Sequence, residues 1–246
     1  MPCPNLPIRA VTFDFWRTLF YAHVNFQERR DGRVRALMEI VQCSKREAKE
    51  ALKHQEQEFL MTHIHEQRTL VPEDAVSILA SKLGLSLDAT LALELADALE
   101  KVTLEHPPTP IEGALDAVRA AADRVPVGII SDTGVATGKT IRRLLDNAGF
   151  ESLFSSHTFS DETGVSKPQA SMYNDAAEKL GVPVAQILHI GDLEPTDIVG
   201  ALGVGAHAAL FAGDNDRFLN KTNAGHTFTR WDEFRAIVPT LLGESP

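Results

Sequence analysis

Three apolar runs in this 246-residue chain stop at residues able to do chemistry: Ile8 to Phe13 at Asp14, Pro126 to Ile130 at Ser131 and Asp132, and Gln186 to Ile190 at Gly191 and Asp192. A fourth piece, Lys167 followed by Pro168 in a loop containing Gly and Ser, offers those acids a cation. If the runs are strands of a parallel α/β sheet, each of these residues lies just past a strand's carboxyl end. Ligands bind in that crevice, so positions far apart in sequence converge on one active site. Asp14 taken alone says little, because an Asp at a strand end also serves as a helix or loop cap. The ordered set carries the reading.

The elements that must position these residues are legible in the periodicity. From about residue 25 to 105 the apolar positions recur at helical spacing with almost no β signal, as in Val34, Leu37, Met38 and Val41, or Ala75, Ile78, Leu79 and Leu83. Val71-Pro72-Glu73-Asp74 opens one helix and Gly84 to Asp88 separates it from the next. His106-Pro107-Pro108-Thr109-Pro110 then makes a stiff connector. From Ile111 the pattern alternates: helix 111 to 124, strand 126 to 131, helix 138 to 148, a short strand near Thr158, helix 169 to 180, strand 186 to 190, helix 195 to 203, strand 206 to 211, and a terminal helix from Trp231. Such alternation predicts a parallel sheet covered by helices. The expected fold is α/β, a Rossmann-like parallel sheet core with helices on both faces and an inserted all-helical cap. The core is expected over residues 1–20 and 107–246 and the cap over 21–106.

Asp14, Ser131, Lys167-Pro168 and Gly191-Asp192-Leu193-Glu194-Pro195-Thr196-Asp197, in this order and at these spacings, resemble the four motifs of the haloacid dehalogenase (HAD) superfamily of hydrolases. The resemblance covers roughly residues 8 to 20 and 110 to 212, and the helical insertion lies where that superfamily often carries a cap. It implies a hydrolase of the phosphatase-like branch, acting on a small phosphorylated metabolite through an aspartyl-phosphate intermediate on Asp14. Mg²⁺ would be held by Asp14, Asp192 and the backbone carbonyl of Trp16. Ser131 would hydrogen-bond the phosphate oxygens, Lys167 would bridge Asp14 and the transferring group, and Asp197 would orient the metal's waters or Lys167. The electrostatics agree, since a carboxylate attacking a phosphoryl anion needs a divalent cation and a lysine to cancel the repulsion. Asp132 is a further candidate for substrate binding, or a cap for the helix after Gly134. Asp197, in the first turn of a helix begun by Pro195, is favourable there even without a metal.

Trp16 departs from the pattern. Phosphatases of the superfamily usually have a second Asp two residues after the nucleophile, acting as general acid and then as base, and Trp has no proton to exchange near neutral pH. Such a group is typically worth about 10² to 10⁴ in rate. Arg17, where Gly is common, is a second departure. An aromatic residue at position 16 also resembles the dehalogenase branch, in which Asp attacks carbon without a divalent metal. That alternative, a 2-haloacid dehalogenase-like hydrolase, ranks below the phosphatase because the acidic run from Asp192 to Asp197 would be needless repulsion without a cation. A non-catalytic phosphometabolite-binding or regulatory protein is a further alternative. Lys45, Lys49 and Lys53 read as solvated helix lysines and not as Schiff-base formers. His189 reads as a packed core residue, and His23, His54, His63 and His65 as solvated, although any of these four could replace the missing acid if the cap closes. Gly134 to Thr140 imitates a phosphate-binding P-loop but is one residue too short between its glycines.

Composition sets the bounds. With 43% hydrophobic and 24% charged residues the chain can bury a substantial core. A net charge of −10 and the lack of a Lys/Arg-dense run disfavour nucleic-acid and anionic-membrane partners. Cys3 and Cys43, the only cysteines, form no metal signature and read as reduced thiols. Met1 to Pro7 lacks a charged segment followed by an apolar stretch, and no run approaches a membrane span. A cytoplasmic monomer or homodimer is expected.

Overall fold

In a computed structural model, which describes residues 7–242, the strands are short and, apart from the last one at the sheet edge, largely buried on both faces, as parallel strands between helix layers must be. They are β1 (Ala10–Phe13), β2 (Val127–Ser131), β3 (Ser156–Phe159), β4 (Ile187–Gly191), β5 (His207–Phe211) and β6 (His226–Phe228). All pairings are parallel and the order is β3-β2-β1-β4-β5-β6. The central strand β1 therefore lies where the winding reverses, and Asp14 follows its last residue at the switch-point crevice.

Alternate side chains along each strand feed opposite layers. Val11, Phe13, Ile129, Ile190 and Phe211 pack in the larger core with α5 (Ala114–Ala122), α6 (Gly138–Asn147) and α10 (Trp231–Leu241). Ile130 and Leu210 face the other layer, packing with Met172 and Tyr173 of α8, which spans Ala170–Leu180. The loop after Asp14 is braced from below. The indole of Trp231 is fully buried, stacks on Phe211 at 4.4 Å between centroids, and donates from Nε1 to the carbonyl of Thr18 at 3.1 Å.

Between β1 and α5 the chain forms four helices, α1 (Phe26–Val41), α2 (Lys45–Met61), α3 (Pro72–Leu83) and α4 (Ala89–Glu105), and the fold is the expected α/β sheet with a helical cap. Local chemistry sets their ends. Ser44 and Glu47 form a reciprocal capping box at α2, Asp88 accepts from the Leu91 amide at 2.9 Å, and Gly84 ends α3 at φ 68°. The four helices share their own core, including Leu37, Ala51, Leu79 and Leu99. Among the described residues no helix is long and apolar enough to cross a membrane.

Three details differ from expectation. The segment expected as one helix over 195–203 begins as a wide turn, Glu194–Ile198, followed by the short helix α9 (Val199–Gly203). There the Leu193 carbonyl accepts from both the Asp197 and Ile198 amides, at 2.9 and 3.3 Å, and such π-type turns commonly occur at functional sites. Strand β6 went unread because it has only three residues, two of them exposed. A single-turn helix α7 (Ser160–Thr163) follows β3. Cys43 is free, and Cys3, like Met1 to Leu6, lies outside the described residues.

Candidate active site

The residues expected at the strand ends do converge. Asp14 is buried, and its Oδ1 accepts from the Ser131 hydroxyl at 2.9 Å and from Lys167 Nζ at 2.7 Å. Lys167, itself 2% exposed, also donates to Asp197 Oδ1 at 2.6 Å. One ammonium thus sits between two carboxylates. Burial opposes its charge, but Asp14 and Asp197 outweigh that and raise the lysine's pKa well above its ordinary value, so it stays protonated. Burial pushes the Asp14 carboxyl up, with Lys167 pulling partly the other way.

Asp197 is held from four sides. Its Oδ1 also accepts from His189 Nε2 at 3.0 Å, and its Oδ2 accepts from the Leu193 amide at 3.0 Å and the Thr196 hydroxyl at 3.4 Å. Burial alone would raise its pKa, yet Lys167 and His189 hold it well below the usual carboxylate range. His189 is fully buried, as expected of a core residue, but it also carries this polar chain inward, with Nδ1 3.0 Å from the Thr12 hydroxyl. Gly191 permits the approach, since a Cβ at that position would collide with the Asp197 carboxyl.

Asp192 differs from its neighbours. Its Oδ2 accepts from Asn215 Nδ2 at 2.7 Å, while among the described residues no cationic side chain forms an ion pair with it. Burial first, then the charges of Asp197 and Asp14, push its carboxyl up to about 8. Glu194, the other acid of that run, is turned elsewhere, accepting from Thr222 at 2.6 Å and from the Asn223 side chain at 2.7 Å.

Several expectations are corrected. Asp132 does not cap the helix after Gly134. Its Oδ1 accepts from the Lys167 backbone amide at 2.9 Å, while the α6 N-terminus is met by Asp161 and by Glu100 of the cap. Burial raises the Asp132 carboxyl to about 6, partly offset by Lys167. The P-loop imitation is thereby explained, because its amides and hydroxyls already bond to acids of this chain. His63 is not solvated. Its side chain is 12% exposed, stacks on Phe59 with centroids 5.8 Å apart, and sets Nε2 3.6 Å from Asp132 Oδ2. Burial, then the charge of Lys167, lowers its pKa, so the ring is neutral at pH 7. His23 is exposed and bonds to Asp214 at 2.9 Å. Arg17 adopts φ 59°, the left-handed conformation that favours Gly, and its Nε lies 3.7 Å from Asp214.

These groups open into a cavity of about 520 Å³ between the cap and the strand ends. Asp14, Asp192, Asp197 and Lys167 form its floor, and Phe26, Arg33, Gln55, Phe59 and His63 reach it from the insertion. Trp16 lines it too, edge-on to Phe15 at 4.9 Å between centroids and with the Arg29 guanidinium 6.0 Å from its ring. Asn215 and Arg33 were not identified from the sequence, and His63 entered only as one of four histidines able to replace the missing acid. Asn215 stands in an acidic loop after β5 and Arg33 on α1, so no local pattern marks them.

Among the described residues no group of three or more His, Cys, Asp or Glu side chains is arranged to hold a metal. Mg²⁺ asks for less, usually one or two carboxylates completed by water and substrate oxygens. Asp14 with buried Asp192, which among the described residues has a hydrogen bond from Asn215 but no ion-pair partner, fits that requirement.

Comparison with known proteins agrees in class. Residues 8–205 match the family described as haloacid dehalogenase-like hydrolase. The chain is similar to pyrimidine 5'-nucleotidase YjjG of Escherichia coli (strain K12), 31% identical over 98 residues that make up 39% of this chain and 42% of that protein. It is also similar to (S)-2-haloacid dehalogenase 2 of Pseudomonas sp. (strain CBS-3), 29% identical over 118 residues, 48% of each. Both matches span less than half of the relative's length. The magnesium-bound HAD-hydrolase YfnB from Bacillus subtilis superposes with a TM-score of 0.65 at 19% identity, covering 95% of this chain and 99% of that one, a likeness of fold.

Proposed function

Because the chain belongs to the haloacid dehalogenase-like hydrolase family, we propose that it is a Mg²⁺-dependent phosphatase of a small phosphorylated metabolite, with Asp14 as nucleophile. The observation that carries this reading is the charge balance of the cavity floor. Of three buried carboxylates, Asp14 and Asp197 share the ammonium of Lys167, and Asp192 has no ion-pair partner among the described residues. A carbon-directed dehalogenase gains nothing from that excess negative charge. When bound, Mg²⁺ would supply the positive charge that lets a phosphoryl dianion approach these acids.

The chain's own groups then divide the work. Asp14 forms a bond to phosphorus as the bond to the leaving oxygen breaks. Both hydrogen bonds on its carboxylate fall on Oδ1, which leaves Oδ2 for the other contact. Lys167 and the Ser131 hydroxyl are placed to hold equatorial phosphoryl oxygens, and Asp197 with His189 fixes Lys167 in position. Trp16 offers the leaving oxygen no proton, so acyl and aryl phosphates, whose leaving groups depart as anions, are favoured over alkyl esters. In the second step water attacks phosphorus, the bond to Asp14 breaks, and neutral His63 is the imidazole in the cavity able to take the water's proton.

The test is hydrolysis of an aryl phosphate and an acyl phosphate with Mg²⁺ or with EDTA, beside Asp14→Asn. Metal-dependent turnover lost in the variant is expected. The second reading, a haloacid dehalogenase using the same Asp14, is supported by Trp16 and by the Pseudomonas relative; chloride release from a 2-haloacid in EDTA, without phosphate release in Mg²⁺, would put it first.

A further inference from the structure

Two arginines of α1 stand together at the roof of the cavity, and they are not equivalent. Arg29 is satisfied by backbone: it donates to the carbonyls of Ala22, Val24 and His106 at 2.7, 2.8 and 3.1 Å. Arg33 is not. Its Nε reaches the Leu99 carbonyl at 3.4 Å and its Nη2 the Thr103 hydroxyl at 3.1 Å, both neutral acceptors. A guanidinium has five N–H donors in a fork that matches a carboxylate or phosphate. Among the described residues no further acceptor meets the remaining Arg33 donors, and the side chain lines the cavity.

The surroundings favour an anionic partner. Arg33 is half-buried, and burial and the charge of Arg29 lower its pKa to about 10, still leaving it charged, while Glu56 on α2 offsets them only in part. Glu56 also lines the cavity and is paired with Arg30 at 3.2 Å. A half-buried cation lining a cavity is only partly hydrated, so an anionic ligand there compensates it. Nearby, Gln55, 5% exposed, adds a further polar group to a roof that also carries Phe26 and Phe59.

We propose that Arg33 anchors a second oxyanion of the substrate, so that the substrate is a compact phosphate ester or anhydride carrying a carboxylate or another phosphate at the end remote from Asp14. This rests on the reading that the transferred phosphoryl group sits on the cavity floor. The distal oxyanion takes the remaining Arg33 donors, Gln55 hydrogen-bonds it, and Phe26 and Phe59 cover the carbon skeleton between the two ends. Arg33 is thereby a specificity-determining residue on the cap, remote from the reacting bond.

Equilibrium binding to the full chain carrying Asp14→Asn, in Mg²⁺, tests this without turnover. The probes are 3-phosphopropanoate, propane-1,3-diol bisphosphate and n-propyl phosphate, which differ at the distal end alone. One or both of the first two should bind about 10- to 100-fold more tightly than the third, the range expected for charge-assisted hydrogen bonds. Which of them does so identifies the oxyanion. Adding Arg33→Met should bring the ratio close to 1 without lowering the melting temperature, and Arg33→Lys should restore part of it. A residue that merely tethers α1 to α4 would lower the melting temperature and leave the ratio unchanged. Tight but equal binding of all three probes would overturn the Arg33 assignment and leave the phosphatase reading standing. Binding of none would count against the phosphatase reading, and the substrate class would fall with it.

Discussion

At the scale of single residues the site is defined by what each charge lacks. Asp192 is held up to about 8 by burial and by Asp197 and Asp14, against one hydrogen bond from Asn215. A carboxyl raised above its unfolded value favours the folded state in its protonated form. Its contribution is complete below the ordinary carboxylate range and is lost as pH rises through about 8. Metal-free protein should therefore lose stability as pH climbs, and a cation that stabilises the ionised form should return it. Melting temperatures with Mg²⁺ and with EDTA should differ more at pH 8.5 than at pH 6, and Asp192→Asn should abolish the difference. His63 makes a second residue-scale prediction. As the base for the second step, its loss in His63→Asn should slow release of phosphate from the Asp14 intermediate by about 10²-fold or more. The first step, which it does not serve, should keep its rate, so rapid-quench kinetics of an acyl phosphate would show a burst followed by a slower steady state.

The elements hold these residues by contacts that link distant parts of the chain. Arg29 is the clearest case, because its three carbonyl partners lie on both segments joining the cap to the core, 22–24 before α1 and 106 after α4. Truncation would leave three carbonyls short of a donor, so Arg29→Met should lower stability by about 2 to 4 kcal/mol in denaturant titration. Arg33→Met, one turn along, should cost little. The elements also mark how far the sequence could be read. Helical spacing and Gly/Pro punctuation marked the insertion as helical and located the strands through β5 because each pattern is local. The floor residues Asp14, Lys167, Asp192 and Asp197, with Ser131 behind them, were legible because each stands at a strand end or in a motif, and parallel topology gathers such positions. His63 was misread as solvated because its burial comes from Phe59 and Asp132, the latter 69 residues away along the chain. Arg33 likewise looks like any charged helix residue until α4 and α2 pack beside it.

At the scale of the whole molecule, a chain of net charge −10 gathers Lys167 from the core and Arg33 from the cap at one cavity. In the proposed reading these two cations meet the ends of an anionic substrate, and Asp14 with Asp192 holds Mg²⁺. The cap is held to the core beyond its two connecting segments. Glu100 on α4 accepts from Thr140 at 2.6 Å on α6, and Gln169 donates to the Gln67 carbonyl at 2.7 Å. Closure of this kind excludes water while the nucleophile is occupied. With Trp16 beside the nucleophile and a single neutral imidazole to activate water, the covalent intermediate should persist long enough to trap. The most direct test is therefore to mix the protein with an acyl phosphate in Mg²⁺, quench within the first turnover, and locate the phosphoryl group by peptide mass spectrometry. One phosphoryl group per chain on Asp14, absent in EDTA, is the expected result. Phosphate release at the same rate with Asp14 unmodified throughout would contradict it.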